Sequence, residues 1–153
     1  MDPVIKVIIP ARDEERALPK VLRAIPDFIS EVIVVDNGST DETAVVAQDH
    51  GAKVIYVKEP GYGRACLAGI AAAGHADILV FLDGDASDFP ENMSELVEPI
   101  ILNEADFVLG SRLTGEAEQG SLTLPQRFGN QLACFLMRLF WGSRFTDLSL
   151  IHI

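Results

Sequence analysis

The sequence is short of basic residues. Lys and Arg together number 12, whereas Asp and Glu number 23, and the formal net charge is −11. A protein that binds a nucleic-acid backbone needs clustered cations that displace counterions from the phosphates. The charge balance therefore excludes nucleic acid as an expected partner, while it still allows nucleotides that are held by a metal ion or by backbone amides.

Cysteine and long apolar runs are also scarce. The two cysteines, Cys66 and Cys134, lie far apart and form no Cys-x-x-Cys motif, so we expect reduced thiols in small core positions. No apolar run approaches the roughly 20 residues of a membrane-spanning helix. Residues 1–4, Met-Asp-Pro-Val, lack the basic and apolar regions of a signal peptide. These absences predict a cytoplasmic protein.

Two common phosphate-binding motifs are absent as well. Residues 10–13 follow the first apolar run and read Pro-Ala-Arg-Asp, without the glycines of a dinucleotide-binding Gly-x-Gly-x-x-Gly motif. Gly61 and Gly63 occur later in the chain, but Cys66 occupies the third glycine position. A P-loop is excluded because the chain has no Gly-Lys-Ser/Thr sequence. Hydride transfer on a dinucleotide and P-loop chemistry are therefore not expected.

The chain does contain a regular alternation of β-branched apolar runs and amphipathic segments. The predicted strands are residues 4–9, 31–35, 53–57, 76–83 and 105–109. The predicted helices are residues 17–25, 40–50, 65–73, 88–100 and 125–141. Ser39 or Thr40 is expected to cap the second helix. This order predicts a single α/β domain, a Rossmann-like sandwich with a mostly parallel central sheet and helices on both faces.

The predicted strand at 76–83 ends on two carboxylates, in the sequence Asp83-Gly-Asp85. Its apolar run is typical of a strand that is buried on both faces, and ligands of open α/β sheets bind beyond the carboxyl ends of such strands. Side chains two residues apart on an extended chain point the same way. Asp83 and Asp85 therefore suit Mg²⁺ or Mn²⁺, with substrate phosphates completing the coordination shell. On these residues alone, an acidic turn after a core strand is an equal alternative.

Polar residues also end the other predicted strands. Arg12-Asp13-Glu14 follows the first strand, Asp36-Asn37 the second and Arg112 the fifth. Because such ends converge on one crevice in this fold, the pattern predicts a functional cleft. A turn or cap role is the alternative for each residue taken singly, and it is favoured for Asp41. The ligand expected in the cleft is a nucleotide whose diphosphate is held by a metal ion on the two carboxylates.

Five segments together resemble a known enzyme family. They are residues 7–15 (Val-Ile-Ile-Pro-Ala-Arg-Asp-Glu-Glu), 34–41 (Val-Val-Asp-Asn-Gly-Ser-Thr-Asp), 61–63 (Gly-Tyr-Gly), 81–85 (Phe-Leu-Asp-Gly-Asp) and 110–112 (Gly-Ser-Arg). In this order they resemble the inverting family-two glycosyltransferases of the polyprenol-phosphate or dolichol-phosphate mannosyl- and glucosyltransferase type. The resemblance implies the nucleotide-sugar-binding GT-A fold and transfer of a sugar from a UDP- or GDP-linked donor to an acceptor.

The resemblance also implies which residues bind the donor. Those implied in nucleotide binding are Pro10, Asp13, Glu14, Asp36, Gly63 and Asp83. Among them, Asp13 and Glu14 are alternatives for one contact with the base or ribose. Asp83 and Asp85 would hold Mg²⁺ or Mn²⁺, which acts as a Lewis acid on the departing nucleoside diphosphate.

On the acceptor side the resemblance implies roles for Arg112 and Asp147. Arg112 would meet a phosphate of the donor or of a lipid-phosphate acceptor, with a surface ion pair as the alternative. Asp147 would take the proton of the attacking acceptor, or would only orient an acceptor that is already a phosphate. A lipid-phosphate acceptor would place this cytoplasmic protein at the inner face of the membrane.

The end of the chain departs from the family. Residues 146–148, Thr-Asp-Leu, match it, whereas residues 149–153, Ser-Leu-Ile-His-Ile, do not. Residues 148–153 are also a translation of the transposase adapter used in sequencing libraries. We therefore expect a C-terminally truncated glycosyltransferase domain at 1–147 and a non-native tail at 148–153. Such a chain would bind a nucleotide sugar but transfer it poorly.

Two other functions stay open at this point. One is nucleotidyl transfer onto a sugar phosphate, although that class usually has a basic, glycine-rich loop where this chain has the acidic residues 10–15. The other is a non-catalytic module that binds nucleotide sugars. An assay of sugar transfer from purified donor separates the enzyme from the binding module.

Overall fold

The computed structural model describes residues 3–110, and a parallel sheet lies at the centre of this part of the chain. The strands are β1 (Ile5–Ala11), β2 (Glu31–Asp36), β3 (Lys53–Tyr56) and β4 (Ile78–Phe81). They lie in the order β3-β2-β1-β4, and each neighbouring pair is parallel. Strand β1 is therefore flanked on both sides, whereas β3 and β4 form the edges of the sheet within the described residues.

Helices cover both faces of this sheet. They are α1 (Leu18–Ala24), α2 (Thr43–Asp49), α3 (Tyr62–Ala73) and α4 (Met93–Ile101), the last preceded by a 3₁₀ turn at Pro90–Asn92. Side chains of α1, α2 and α4 pack with Val7 and Ile9 on one face. Side chains of α3 pack with Ile8 and Ile33 on the other. The predicted α/β sandwich is confirmed, because β1 buries side chains on both faces.

Helix α3 packs against the sheet at Gly69, where a side chain would not fit. A Cβ atom at this position would overlap Ile8 Cγ2 and would lie 3.2 Å from Val35 Cγ2. Lys6 and Lys53 donate hydrogen bonds to carbonyl oxygens in the last turn of the helix, where cations interact favourably with the helix dipole. These contacts fix the position of α3 and bring its first residues to the carboxyl edge of the sheet.

The strand predicted at residues 105–109 does not form. A cavity of about 570 Å³ lies between residues 106–109 and the side chains of Ile78, Leu79 and Phe81 in β4. Residues 105–109 are not assigned as a strand, and β4 is the last strand of the sheet on this side within the described residues. The apolar segment therefore lies beside the sheet and does not extend it, which corrects the sequence-based prediction.

Several helices begin at other residues than predicted, and α4, expected from residue 88, begins only at Met93 after the 3₁₀ turn. Helix α2 begins at Thr43, and neither Ser39 nor Thr40 caps it, since both hydroxyl groups form hydrogen bonds with Asp13 instead. Helix α3 begins at Tyr62 rather than at residue 65, so part of the predicted glycine-rich loop is helical. Local sequence patterns predicted that these helices exist, but they did not predict the residues at which the helices begin.

The described residues up to Leu109 belong to one compact unit. Within residues 3–110, no helix is both long and apolar enough to cross a membrane. The domain boundary predicted at residue 147, the predicted helix at 125–141 and the tail predicted at 148–153 lie outside the described residues.

Candidate functional site

A cleft of about 350 Å³ lies at the carboxyl edge of the sheet, where β1, β2 and β4 end. The residues that line it are Pro10, Ala11, Arg12, Glu14, Asn37, Tyr62, Asp83, Gly84 and Asp85. The predicted site residues among them are Pro10, Glu14, Asp83 and Asp85. The cleft has the position at which open α/β sheets bind their ligands.

Three predicted site residues lie beside the cleft without lining it. Asp36 is buried at the end of β2, and its Oδ1 accepts a hydrogen bond of 2.9 Å from the Ser39 amide. Asp13 is exposed, and its Oδ1 accepts a hydrogen bond of 2.6 Å from the Thr40 amide. Gly63 lies in the first turn of α3 and lines the neighbouring cavity of about 570 Å³.

Asp83 and Asp85 reach the cleft from a turn and not from an extended strand. Strand β4 ends at Phe81, and the chain then bends. The Asp83 amide donates a hydrogen bond of 3.0 Å to Asp88 Oδ2, and Asp85 Oδ1 accepts one of 2.9 Å from the Ser87 amide. Both carboxylate residues line the cleft, although the extended geometry assumed from the sequence is absent.

Negative charge is concentrated in this cleft. Burial raises the pKa of Glu14, and the neighbouring charges of Asp85, Asp41 and Asp83 raise it further. Among the described residues, Arg12 is the only basic side chain in the lining. A divalent cation at this point would offset the repulsion between the carboxylates, so the residues present fit Mg²⁺ or Mn²⁺.

The protein alone supplies few ligands for such an ion. Within residues 3–110, no group of three His, Cys, Asp or Glu side chains is arranged to hold a metal ion. Mg²⁺ is often bound by one or two carboxylates together with waters and substrate phosphates. Asp83 and Asp85 fit this mode, in which the ion and a phosphate-bearing ligand bind together.

Asn37 also lines the cleft, and sequence reasoning gave it no role. Its side chain is 8% exposed, and its Oδ1 atom has no hydrogen-bond partner. A buried polar atom left unpaired costs about 1–3 kcal/mol, and such atoms are rare in folded proteins. Because Asn37 also lines the cleft, this oxygen is a candidate acceptor for a hydrogen bond from a ligand. The sequence shows only an Asn-Gly pair, which is typical of an ordinary turn.

Tyr62 lies between the cleft and the apolar cavity beside β4, and it lines both. Its hydroxyl oxygen is 3.5 Å from Asp83 Oδ1. Burial raises the pKa of Tyr62, and the charge of Asp83 raises it further, so the hydroxyl stays protonated and can donate. Tyr62 belongs to the Gly-Tyr-Gly segment that sequence analysis singled out. The other two predicted site residues, Arg112 and Asp147, lie outside the described residues.

Comparison with known proteins identifies the class to which this fold and cleft belong. The family described as Glycosyl transferase family 2 matches residues 6–149. The chain is therefore a member of glycosyltransferase family 2, and the resemblance found in the five segments is confirmed.

Two curated relatives illustrate the match. An uncharacterised glycosyltransferase of Mycobacterium tuberculosis H37Rv is 44% identical over 111 residues, which cover 71% of this chain and 48% of that protein. UDP-N-acetylglucosamine–dolichyl-phosphate N-acetylglucosaminyltransferase of Methanococcus voltae is 29% identical over 167 residues, which cover 95% of this chain and 66% of that protein. The chain spans about half the length of the mycobacterial relative.

A solved structure shows the same fold. It is glucosyl-3-phosphoglycerate synthase from Mycobacterium tuberculosis in complex with Mn²⁺, UDP-glucose and phosphoglyceric acid. The TM-score is 0.60 at 34% sequence identity, over 67% of this chain and 40% of that chain. The predicted GT-A fold is thereby confirmed.

Proposed function

We propose that this chain binds a nucleoside-diphosphate sugar and a divalent cation in the cleft, as the donor half of an inverting glycosyltransferase. The observation that carries the proposal is the pairing of two features in one cleft. Asp83 and Asp85 offer carboxylates for a cation and its diphosphate, and Asn37 offers a buried, unpaired acceptor a short way along the same edge. A nucleotide sugar has groups that match both features.

The nucleoside would lie over the ends of β1 and β2. A uracil base has an N–H donor that would satisfy Asn37 Oδ1, and Pro10 would provide an apolar surface beside it. Glu14 also lines this side and could accept hydrogen bonds from ribose hydroxyl groups, as charged acceptors do strongly. UDP is favoured over GDP because the similar solved structure holds UDP-glucose.

The diphosphate would lie at the end of β4. Asp83 and Asp85 would hold Mn²⁺ or Mg²⁺, and Mn²⁺ is favoured because the similar solved structure contains it. The bound cation supplies Lewis acidity that stabilises negative charge on the departing nucleoside diphosphate. Tyr62 and Asp88 would keep Asp83 aimed into the cleft through their contacts with its carboxylate and amide.

The acceptor side rests on residues 112 and 147. We propose that Arg112 binds a phosphate of the donor or acceptor and that Asp147 takes the proton of the attacking acceptor or orients it. A polyprenyl phosphate is the favoured acceptor, because the archaeal relative is named for transfer to dolichyl phosphate. Such an acceptor would bring a cytoplasmic enzyme to the inner membrane face.

Ligand-induced stabilisation tests the proposal. The 153-residue chain is titrated with UDP, UDP-glucose, GDP and GDP-mannose, each with Mn²⁺, with Mg²⁺ or with EDTA. A ligand at about 100 times its Kd stabilises the folded chain by about 2.7 kcal/mol, which raises Tm by several degrees. We expect this rise for uridine nucleotides with Mn²⁺ and a much smaller one with EDTA.

The same titration separates the alternatives. If only GDP and GDP-mannose stabilise the chain, the proposed ligand is a guanosine nucleotide and not a uridine nucleotide. No stabilisation by any nucleotide with either metal would overturn the proposal. Sugar transfer to polyprenyl phosphate in detergent then distinguishes the enzyme from a module that only binds, and release of pyrophosphate from UTP and a sugar phosphate would indicate a nucleotidyltransferase.

A further inference from the structure

Hydrogen bonds between side chains and backbone tie together two loops that lie far apart in the sequence. One loop follows β1 and spans residues 12–17, and the other follows β2 and, with the first residue of α2, spans residues 37–43. The bonds run in both directions between the loops. Those from the first loop to the second are Asp13 N to Ser39 Oγ (3.1 Å), Glu14 N to Thr43 Oγ1 (2.8 Å) and Glu15 N to Asp41 Oδ2 (3.1 Å). Those in the reverse direction are Thr40 N to Asp13 Oδ1 (2.6 Å), Thr40 Oγ1 to Asp13 Oδ1 (3.1 Å) and Glu42 N to Glu15 Oε2 (3.1 Å).

The backbone at Asp13 is shaped for this role. Its φ angle is +58°, in the left-handed region that Asp and Asn adopt more readily than other residues with a side chain. This conformation turns the chain sharply after β1 and directs the carboxylate of Asp13 to Thr40. The pKa of Asp13 is lowered, chiefly by the hydrogen bond from the Thr40 amide. The carboxylate is therefore charged when it accepts this bond.

Thr43 links the same loops from inside the protein. Its side chain is fully buried at the start of α2, and its Oγ1 accepts the hydrogen bond from the Glu14 amide. The same hydroxyl group donates to Asp41 Oδ1, whose second oxygen accepts from the Glu15 amide. The hydroxyl therefore accepts one hydrogen bond from the first loop and donates one to Asp41, which itself accepts from the first loop.

The consequence falls on two residues that line the cleft. Glu14 lies in the first loop and Asn37 begins the second, and both line the cleft. Asp13, Asp41 and Thr43 do not line the cleft themselves. We propose that these three residues are positioning residues, which form an inter-loop latch that holds Glu14 and Asn37 at a fixed separation for the nucleoside. Asp13 thus acts on the nucleotide through the loops and does not touch it. This inference depends on the proposed function in one respect, which is that the ligand is a nucleotide.

A pair of substitutions at Thr43 tests the latch. Thr43→Val keeps the shape of the side chain but removes the hydroxyl group, and Thr43→Ser keeps the hydroxyl but removes a methyl group. We expect amide hydrogen exchange at Glu14 to become about tenfold faster in Thr43→Val and to stay near the wild-type rate in Thr43→Ser. The Kd for UDP with Mn²⁺ should rise about fivefold to tenfold in the Val variant and return toward wild type in the Ser variant.

The opposite pattern would overturn the latch. If Thr43 serves only to pack the core, Val is neutral and Ser is the damaging change, in both exchange and affinity. The exchange measurement needs no nucleotide, so it decides the latch even if UDP does not bind and the proposed function fails. Unchanged exchange in both variants also overturns it.

A second pair of substitutions, at the exposed residue Asp13, tests the latch if Thr43→Val does not fold. Asp13→Asn keeps an oxygen acceptor and the tolerance of positive φ, whereas Asp13→Ala loses both. The latch predicts faster exchange at Thr40 and a raised Kd for UDP with Mn²⁺ in Asp13→Ala, with near wild-type values in Asp13→Asn. Equal loss of affinity in both variants with unchanged exchange at Thr40 would show a direct contact between Asp13 and the nucleotide, and would overturn the inference for this residue.

Discussion

The two sides of the cleft are held in different ways. On the side of β1 and β2, hydrogen bonds join segments that are 26 to 29 residues apart, such as Asp13 to Thr40 and Glu14 to Thr43. On the side of β4, the hydrogen bonds of Asp83 and Asp85 to Asp88 and Ser87 close a local turn of a few residues. The first side is fixed by contacts between the loops that follow two neighbouring strands, whereas the second is largely a loop that bends back on itself.

This difference matches what each side is proposed to bind. A nucleoside offers several hydrogen-bonding groups of fixed geometry, and a preorganised surface binds such a ligand at a lower entropic cost. A cation and a diphosphate complete each other's coordination, so two carboxylates on a turn are sufficient. If the proposed function holds, specificity for the donor would reside on the side of β1 and β2, and binding strength would depend on the side of β4.

The largest effect is expected at the metal side. Asp85→Asn removes one anionic ligand, and we expect the affinity for UDP in the presence of Mn²⁺ to fall about 100-fold, since even indirect metal contacts are worth 10-fold to 100-fold. Asp27→Asn is the matched control, because Asp27 is exposed and precedes β2 at the opposite edge of the sheet. Calorimetric titration measures both. Full Mn²⁺-dependent binding by Asp85→Asn would move the metal site elsewhere.

A substitution in α3, which packs under the strands that carry the cleft, should lower the stability of the whole fold. Gly69→Ala places a methyl group against Ile8 and Val35, and overpacking of this kind costs about 1–3 kcal/mol of unfolding free energy. Gly63→Ala, in the same helix, meets open space and should be neutral or slightly stabilising. Urea denaturation of the two variants checks this. Equal stabilities would mean that α3 shifts outward at little cost.

Asn37→Leu tests the nucleoside side alone. The change removes a buried acceptor without a partner, so the unfolding free energy should stay the same or increase by about 1 kcal/mol. The affinity for UDP should fall about tenfold because the base loses a hydrogen bond. Binding of Mn²⁺ with inorganic pyrophosphate, which has no base, should not change. A loss of pyrophosphate binding would show that the two sides are not separable.

The smallest effect concerns acidification of the latch. Burial tends to raise the pKa of Asp41, but hydrogen bonds from Thr43 and the Glu15 amide bring it below its ordinary value of 3.8. A lowered pKa in the folded state stabilises the protein above about pH 4, and this contribution is lost as the pH falls through the folded-state pKa. The stability difference between wild type and Asp41→Asn should therefore shrink from pH 6 to pH 3 in urea denaturation. A difference independent of pH would exclude a charged Asp41 as its source.

Sequence patterns predicted the elements whose signals are local. Strand β1 and helix α3 follow from a β-branched run and an alanine-rich segment, and the parallel order of strands brings Pro10, Asp83 and Asp85 to one edge without any knowledge of contacts. The strand at 105–109 was wrong because an apolar run indicates burial but does not determine whether its backbone pairs with a neighbouring strand.

The fine structure of the cleft depended on contacts that no local pattern contains. Ser39 and Thr40 looked like helix caps, but Asp13, 26 and 27 residues away, competes for the same groups. Asn37 looked like a turn residue, and only the folded structure shows that its oxygen is buried without a partner. Roles that arise from burial and from distant partners are therefore visible in three dimensions only.

The central place of β1 also has a consequence for the order of folding. During synthesis β1 is made before both of its neighbours, and Ile5 finds its partner Ile78 only after α3 has been translated. Contacts between residues so distant in sequence slow folding, because long loops must close before the contacts are gained. Until β4 arrives, one edge of an almost wholly apolar strand stays open to pairing with other chains. We therefore expect fragments that end before Phe81 to aggregate more readily than the longer chain.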